Sequence, residues 1–159
     1  MTERHFTTTI TVDQSPAAAF AAICNVRAWW SQEIVGRAEN VGDTFKHRFR
    51  DLHRCQIAVK ELVPEQKVVW TVLENYFSFT EDTAEWKGTD IVFEIARCCR
   101  ETVLTFTHVG LVPGYQCYLA CTDGWTFYIH ESLRELIATG QGRPNVGEAV
   151  TDSELSLAD

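Results

Sequence analysis

Apolar and polar residues alternate along much of the chain, in short runs that are separated by turn residues. A period of two residues is typical of a β-strand that buries one face. One run spans residues 5 to 13, with Phe6, Thr8, Ile10 and Val12 on one face, and five more follow Gly42. Their predicted inward positions are Phe45, His47 and Phe49; Cys55, Ile57 and Val59; Val68, Trp70 and Val72; Ile91, Phe93 and Ile95; and Leu104, Phe106 and His108. These runs predict an antiparallel sheet with one face left to be covered.

Two short helices are predicted directly after the first strand. Ser15 followed by Pro16 is typical of a helix start, with Ser15 as the N-cap and Pro16 as the first helical residue. This helix continues to Cys24, and Asn25 is expected to end it. Residues 26 to 32 predict a second short helix that brings two tryptophans to the body of the domain.

The cover for the sheet is predicted near the end of the chain. From about Tyr115 to Thr139, apolar residues recur at intervals of three and four, which gives a helix one broad apolar stripe. The stripe consists of Tyr118, Cys121, Trp125, Ile129, Leu133 and Leu136. Gly140 is expected to be the left-handed C-cap. Gly124, inside the helix, costs about 1 kcal/mol relative to alanine, so a kink or a start near Thr122-Asp123 stays open.

This order of elements predicts an α+β fold of the helix-grip type. In that fold a curved antiparallel sheet wraps around one long C-terminal helix, and two short helices follow the first strand. A chain of 159 residues fits a single domain with a core of its own. We assign that domain to residues 5–144. Residues 145–159 carry four acidic residues and no basic or aromatic one, which favours a flexible acidic tail.

Composition and charge exclude several classes of protein. The net charge of −8 argues against a nucleic-acid partner, because phosphate binding needs a basic patch. No apolar run approaches the roughly 20 residues of a membrane-spanning helix. The first residues lack the features of a secretory signal, so we expect a cytoplasmic protein. Its six cysteines are then expected to be reduced thiols rather than disulfides.

Several segments carry a resemblance to a known family. They are "SPAAAFAAICNVRAWW" (15 to 30), "EWKGTDIVFEIARCCRETVLTFTHVGL" (85 to 111) and "DGWTFYIHESLRELIATGQGRP" (123 to 144). The matching positions are Trp86, Gly88, Thr89, Phe93, Thr105, Phe106, His108, Gly110, Leu111, Gly124, Trp125, Ser132, Leu133 and Gly140. The chain resembles the START-like, or SRPBCC, superfamily. Within it, the chain is most similar to the branch of the activator of the 90-kDa heat-shock protein ATPase.

The resemblance implies a cavity between the sheet and the long helix. Members of the superfamily include carriers of apolar small molecules, polyketide cyclases and co-chaperones, and a shared fold does not choose among these activities. A cavity of this kind is where a small ligand would bind.

Two histidines are predicted to face that cavity, His47 and His108. A neutral imidazole donates from one nitrogen and accepts at the other, so each could position a ligand or act as a general base. Alternatively, His108 bonds a backbone carbonyl, the indole of Trp125 or the hydroxyl of Tyr128. No acid and base are predicted to converge in the cavity, so no catalytic residue is assigned and an enzyme is disfavoured.

Cysteine spacing allows a metal or redox site but does not favour one. Cys117 and Cys121 share a helical face, yet no CxxC motif occurs, and the adjacent Cys98 and Cys99 point to opposite sides of a strand. We therefore expect no metal and no cofactor.

The sequence best fits a protein that binds a small, largely apolar molecule, such as a lipid-like compound, a sterol or a polyketide. The side chains predicted to face the ligand are Trp30, Phe45, His47, Trp70, Phe93, His108, Tyr118 and Trp125. One alternative is a co-chaperone or protein-interaction module with a chaperone as partner. Another is a cyclase-like or hydrolase-like enzyme with His108 as its base. Monomer and homodimer both stay open, as do the ligand's identity and whether the cavity is open.

Overall fold

Seven antiparallel strands form one sheet in this computed structural model, which describes residues 5–147, 149, 151, 155 and 156. In chain order the strands are β1 (Phe6–Val12), β2 (Val35–Gly36), β3 (Thr44–Phe49), β4 (His53–Val63), β5 (Lys67–Phe77), β6 (Asp90–Cys98) and β7 (Glu101–Val109). Their order across the sheet is β1-β7-β6-β5-β4-β3-β2. The chain therefore builds consecutive hairpins from β2 to β7, and β1 joins beside β7.

The strand predictions are confirmed, with two differences. The two-residue strand β2 was not predicted, because Val35 and Gly36 are too few to show an alternation. β5 also runs through residues 75 to 77, which were predicted to be irregular. β4 and β5 change register between Gln56 and Ile57, and again between Val59 and Glu61. Such irregularities bend a strand and increase its twist, which helps the sheet curve around a helix.

The two short helices lie where they were predicted. α1 (Pro16–Cys24) begins at the N-cap Ser15, whose Oγ accepts a hydrogen bond from the backbone N–H of Ala18 at 3.1 Å. α2 spans Val26–Trp29 and ends three residues earlier than predicted. The Trp29 side chain is fully buried, and its indole N–H donates to the carbonyl of Ile23 at 3.1 Å.

One long helix, the terminal helix, covers the concave face of the sheet. It consists of α3 (Tyr118–Phe127), a π-helical segment (Tyr128–Leu133) and α4 (Arg134–Thr139). It begins three residues later than predicted. The π segment was not predicted; its wider turn moves the buried stripe, so that Ile137 is buried and Leu136 is only half-buried. Gly140 ends the helix with φ 86°, which confirms the left-handed cap.

Between the sheet and the terminal helix, large aromatic side chains fill the centre of the core. Trp29, Trp70, Phe45, Phe93 and Phe106 are almost completely buried there. Trp70 stacks on Trp29 and meets Phe93 edge to face, with ring centroids 6.3 Å and 4.9 Å apart. The middle of the domain is therefore packed rather than hollow.

The first residues of the predicted tail contact the domain. Asn145 is buried, its N–H donates to the carbonyl of Trp30 at 2.8 Å, and its carbonyl accepts from Gln32 at 2.9 Å. The contacts continue to Gly147, whose carbonyl accepts from the Arg50 side chain. Residues 148, 150, 152–154 and 157–159 lie outside the described residues, so a flexible tail there stays a prediction. Across the described ranges, no helix combines the length and apolar character needed to cross a membrane.

Candidate functional site

A pocket opens at one end of the domain, between the β3–β4 hairpin, the loop after β5 and the first half of the terminal helix. Its free volume is about 80 Å³, against roughly 30 Å³ for one water molecule in the liquid. The side chains and backbone around it are aromatic, aliphatic or neutral polar: Trp30, His47, Phe49, Leu52, His53, Phe77, Phe79, Trp86, Ala120, Cys121, Gly124, Trp125 and Tyr128. No Asp, Glu, Lys or Arg is among these residues.

The walls of the pocket are built from stacked rings. His47 stacks on Trp30, with ring centroids 4.5 Å apart and planes 21° from parallel. Trp86 and Trp125 form a second parallel pair at 5.7 Å, and Trp30 contacts Trp125 at 5.1 Å. Closely packed aromatic rings have little room to move, so the walls of the pocket are rigid.

His47, one of the lining residues, carries an unpaired polar atom. Its side chain is 5% exposed, and its Nδ1 is buried without a hydrogen-bond partner among the described residues. Burial holds the pKa of His47 well below its usual range, and the nearby His53 lowers it further. The imidazole is therefore neutral at pH 7.

His53 lies next to His47, with ring centroids 5.2 Å apart, and keeps part of its surface exposed. Its Nε2 lies 2.9 Å from Asn75 Oδ1, and because a carbonyl oxygen only accepts, Nε2 carries the proton. Burial lowers the pKa of His53 to about 4, although the bond to Asn75 opposes this shift.

His108 lies deeper and is fully bonded to the protein. The Trp125 indole N–H donates to Nδ1 at 3.1 Å, so Nε2 carries the proton and donates to the Thr89 hydroxyl at 2.8 Å. That hydroxyl in turn donates to the carbonyl of Trp86 at 2.5 Å. Burial lowers the pKa of His108 to about 3; His53 lowers it further, and Asp90 partly offsets this. Of the alternatives for His108, the bond with the Trp125 indole is present.

Three of the eight predicted ligand contacts line the pocket: Trp30, His47 and Trp125. The other five do not. Phe45, Trp70 and Phe93 fill the core, His108 is occupied by its hydrogen bonds, and Tyr118 lies half-buried in the first turn of the terminal helix. The open space lies at the end of the sheet because these large side chains fill its centre. That the three lining residues contact a ligand stays a prediction.

A buried glutamate attaches the loop after β5 to the start of the terminal helix. Glu85 Oε2 accepts from the backbone N–H of Gln116 at 2.9 Å, and Oε1 accepts from Cys117 at 3.0 Å. A carboxylate is favourable at a helix N-terminus, where backbone N–H groups lack partners. These bonds fix the loop that supplies Phe79 and Trp86 to the pocket.

Comparison with known proteins rests on three-dimensional structure, since no protein-family model and no curated protein matches the sequence. The chain is similar to the solution structure of the Aha1 dimer from Colwellia psychrerythraea, with 25% identity and a TM-score of 0.70 over 87% of this chain and 99% of that one. It is also similar to CalU16 from Micromonospora echinospora, with 11% identity and a TM-score of 0.61 over 86% and 77%. The chain has the START-like, or SRPBCC, helix-grip fold.

A further structural neighbour of this helix-grip domain is DynU16, a protein of the dynemicin biosynthetic locus. Identity is 14% and the TM-score 0.63, over 89% of this chain and 49% of that one. The domain therefore spans about half the length of DynU16.

Several lining residues of the helix-grip domain were missed in the sequence. His53 was not assigned to the cavity, although the alternation places it on the same face as Cys55 and Ile57. Phe77 continues β5 beyond the predicted strand, and Phe79 and Trp86 come from the loop. The alternation could have revealed His53 and Phe77, but no local pattern shows where a twelve-residue loop will fold back.

The six cysteines lie in several elements of the fold. All six cysteines are free, and no group of three metal-ligating side chains occurs in the part of the chain that the structure describes. The hydrogen bond to Cys121, together with burial, raises the pKa of the Cys117 thiol. The Trp86 indole N–H donates to Cys121 Sγ at 3.3 Å. These two thiols act as parts of the core near the pocket.

Proposed function

We propose that this helix-grip domain binds a small, largely apolar molecule in the pocket. The observation that carries the proposal is the buried Nδ1 of His47, which has no partner among the described residues. An unpaired buried polar atom costs about 1–3 kcal/mol, so a ligand that supplies a partner would recover this cost. The aromatic walls offer the contacts that apolar ligands use.

Gly124 supports the same function. It lies inside the terminal helix, where glycine is unfavourable by about 1 kcal/mol relative to alanine, and it lines the pocket. A Cβ added at Gly124 would meet no atom within 4 Å. Packing therefore does not require glycine at this position, and the missing side chain leaves space on the helix side of the pocket.

The size of the pocket favours the smallest of the predicted ligands. Pockets that enclose drug-sized molecules measure roughly 300–1,000 Å³, and this one offers about 80 Å³. A ligand would insert one small group and leave the rest at the mouth, where Leu52, Phe79 and Ala120 are partly exposed. A fully enclosed sterol would require the core aromatics to move.

The Gly124→Leu variant tests the proposal. Leucine is a good helix former, and its side chain would occupy the pocket from the helix side, so binding of a single-ring probe such as toluene should be lost. Binding can be followed by the indole N–H signals of Trp30 and Trp125 in NMR titrations. The control is Gly124→Ala, which should keep binding and raise the free energy of unfolding by roughly 0.5–1 kcal/mol. Unchanged toluene binding in Gly124→Leu would contradict the proposed site.

A chaperone regulator is the second candidate, favoured by the similarity to the Aha1 dimer. This function predicts that the domain increases the ATPase rate of a purified 90-kDa heat-shock protein, and that Gly124→Leu increases it equally, because a protein surface would be the site. An unchanged ATPase rate would exclude this candidate.

The same neighbour supports the homodimer over the monomer, and the free thiols support the cytoplasm as the compartment.

The enzyme alternative has less support. Both nitrogens of His108, the base considered from the sequence, are bonded to Trp125 and Thr89. The pocket lining adds His47 and His53 but no carboxylate that could work with them as a general acid.

A further inference from the structure

We propose that the group inserted into the pocket is a single aromatic ring that carries a hydroxyl, and that this hydroxyl bonds to Nδ1 of His47. The ligand class is thus a neutral phenol-like compound. This inference rests on the proposed function, since it names the chemistry of the molecule that the same pocket would hold.

The hydrogen-bonding group is assigned to His47 because its Nδ1 is buried without a partner among the described residues, whereas three other polar lining groups are bonded. The His53 Nε2–H donates to Asn75 Oδ1, Cys121 Sγ accepts from the Trp86 indole N–H, and the Tyr128 hydroxyl accepts from the Asn145 amide at 3.3 Å. His47 lines the pocket, and its Nδ1 is buried and unpartnered among the described residues. A hydroxyl fits it in either tautomer, because a hydroxyl can donate and accept.

The ring is inferred from the geometry of the walls. Trp30 and His47 form one parallel pair, Trp86 and Trp125 form another, and all four residues line the pocket. Aromatic rings prefer offset-stacked or edge-to-face neighbours. An engineered cavity of about 150 Å³ holds benzene. A pocket of about 80 Å³ that opens to solvent therefore admits one ring, with part of it in the mouth.

The ligand is inferred to be neutral because the lining offers no charged partner. Transfer of an unpaired ion into such surroundings is strongly unfavourable. Arginines of the neighbouring hairpin are engaged elsewhere: Arg48 pairs with Asp51 at 2.8 Å, and Arg50 donates to the carbonyl of Gly147 at 3.0 Å. Arg54 lies over the Tyr76 ring on the outer face. A carboxylate on the inserted ring would find no cation.

The experiment compares three probes of similar size, para-cresol, toluene and benzoate, by NMR titration of the full chain. We expect para-cresol to bind about tenfold more tightly than toluene, the effect of one buried hydrogen bond, and benzoate to bind most weakly. In His47→Phe, which keeps a ring against Trp30, para-cresol and toluene should bind equally. His47→Asn, whose amide group lies near the position of Nδ1, should restore part of the preference.

The outcomes separate this inference from the proposed function. Equal binding of para-cresol and toluene to the unmodified chain, with both lost in Gly124→Leu, would overturn the phenol-like ligand and leave the pocket as a binding site. A preference for para-cresol that persists in His47→Phe, or tighter binding of benzoate, would overturn it as well. If no probe binds, the ligand class proposed here is wrong, and an apolar molecule that co-purifies with the chain would still support the pocket.

Discussion

Replacing His108 with leucine is expected to lower the free energy of unfolding by about 3 kcal/mol at pH 7.5. The substitution removes the acceptor of the buried Trp125 N–H and the donor to the Thr89 hydroxyl. A buried donor left without a partner costs about 1–3 kcal/mol, and the change in shape at a fully buried position adds to this. Urea unfolding followed by tryptophan fluorescence measures the difference.

The matched control for this prediction is His130→Leu. His130 also bonds a threonine hydroxyl, that of Thr8, at 2.5 Å, but it is only half-buried in the terminal helix. Water can replace the lost bond there, so a loss below about 1 kcal/mol is expected. If His108→Leu changes the free energy of unfolding by no more than the control does, the three-residue chain from Trp125 through His108 to Thr89 does not stabilise the core as inferred.

The elements of the fold were predictable wherever a local rule determines them. The Ser15-Pro16 pair gives a helix start because a hydroxyl caps a free N–H group and proline needs no such bond. Gly140 ends the terminal helix because its backbone adopts φ 86°, which other residues rarely adopt. The alternation gave the faces of five strands after Gly42 because one face of the sheet meets solvent.

The pocket was not predictable in the same way, because its shape depends on contacts between distant segments. The loop at residues 78 to 89 is held by Glu85 against the terminal helix, 31 residues further along the chain. The π segment at Tyr128–Leu133 follows from none of the local rules that predict caps and strands. Alternation placed His47 and His108 on the same face, but only the structure distinguishes the unpaired imidazole from the bonded one.

The bonded His108 and the unpaired His47 are expected to differ in what they contribute to stability. His108 contributes two hydrogen bonds, whereas Nδ1 of His47 and the indole nitrogen of Trp70 are buried without partners among the described residues. His47→Phe is therefore expected to be neutral or stabilising even though it abolishes the preference for a phenol. Residues that lower stability while they serve binding are common in natural proteins.

Acidification is expected to destabilise the protein steeply between about pH 6.5 and pH 4. The pKa values of His53 and His108 are about 4 and 3 in the folded state, against 6.5 when unfolded, and that of His47 is also well below 6.5. Below pH 6.5 the unfolded chain binds protons that the folded protein excludes, so stability falls with pH. Each histidine contributes a slope of up to about 1.4 kcal/mol per pH unit. The three together reach about 4 kcal/mol per pH unit, and the slope decreases once the folded histidines are protonated.

Urea unfolding at pH 7.5, 6.5, 5.5 and 5.0 measures this slope. The same measurement on His47→Phe shows whether the buried histidines cause it. Removal of one of the three neutral histidines should reduce the slope below pH 6 by about one third. The free energy of unfolding at pH 7.5 should stay equal or rise, because His47 donates no stabilising hydrogen bond from Nδ1. A slope that is unchanged in His47→Phe would mean that other groups, such as the carboxylates, cause the acid sensitivity. Constant stability from pH 7.5 to 5.0 would show that folding does not lower the pKa values of these three histidines.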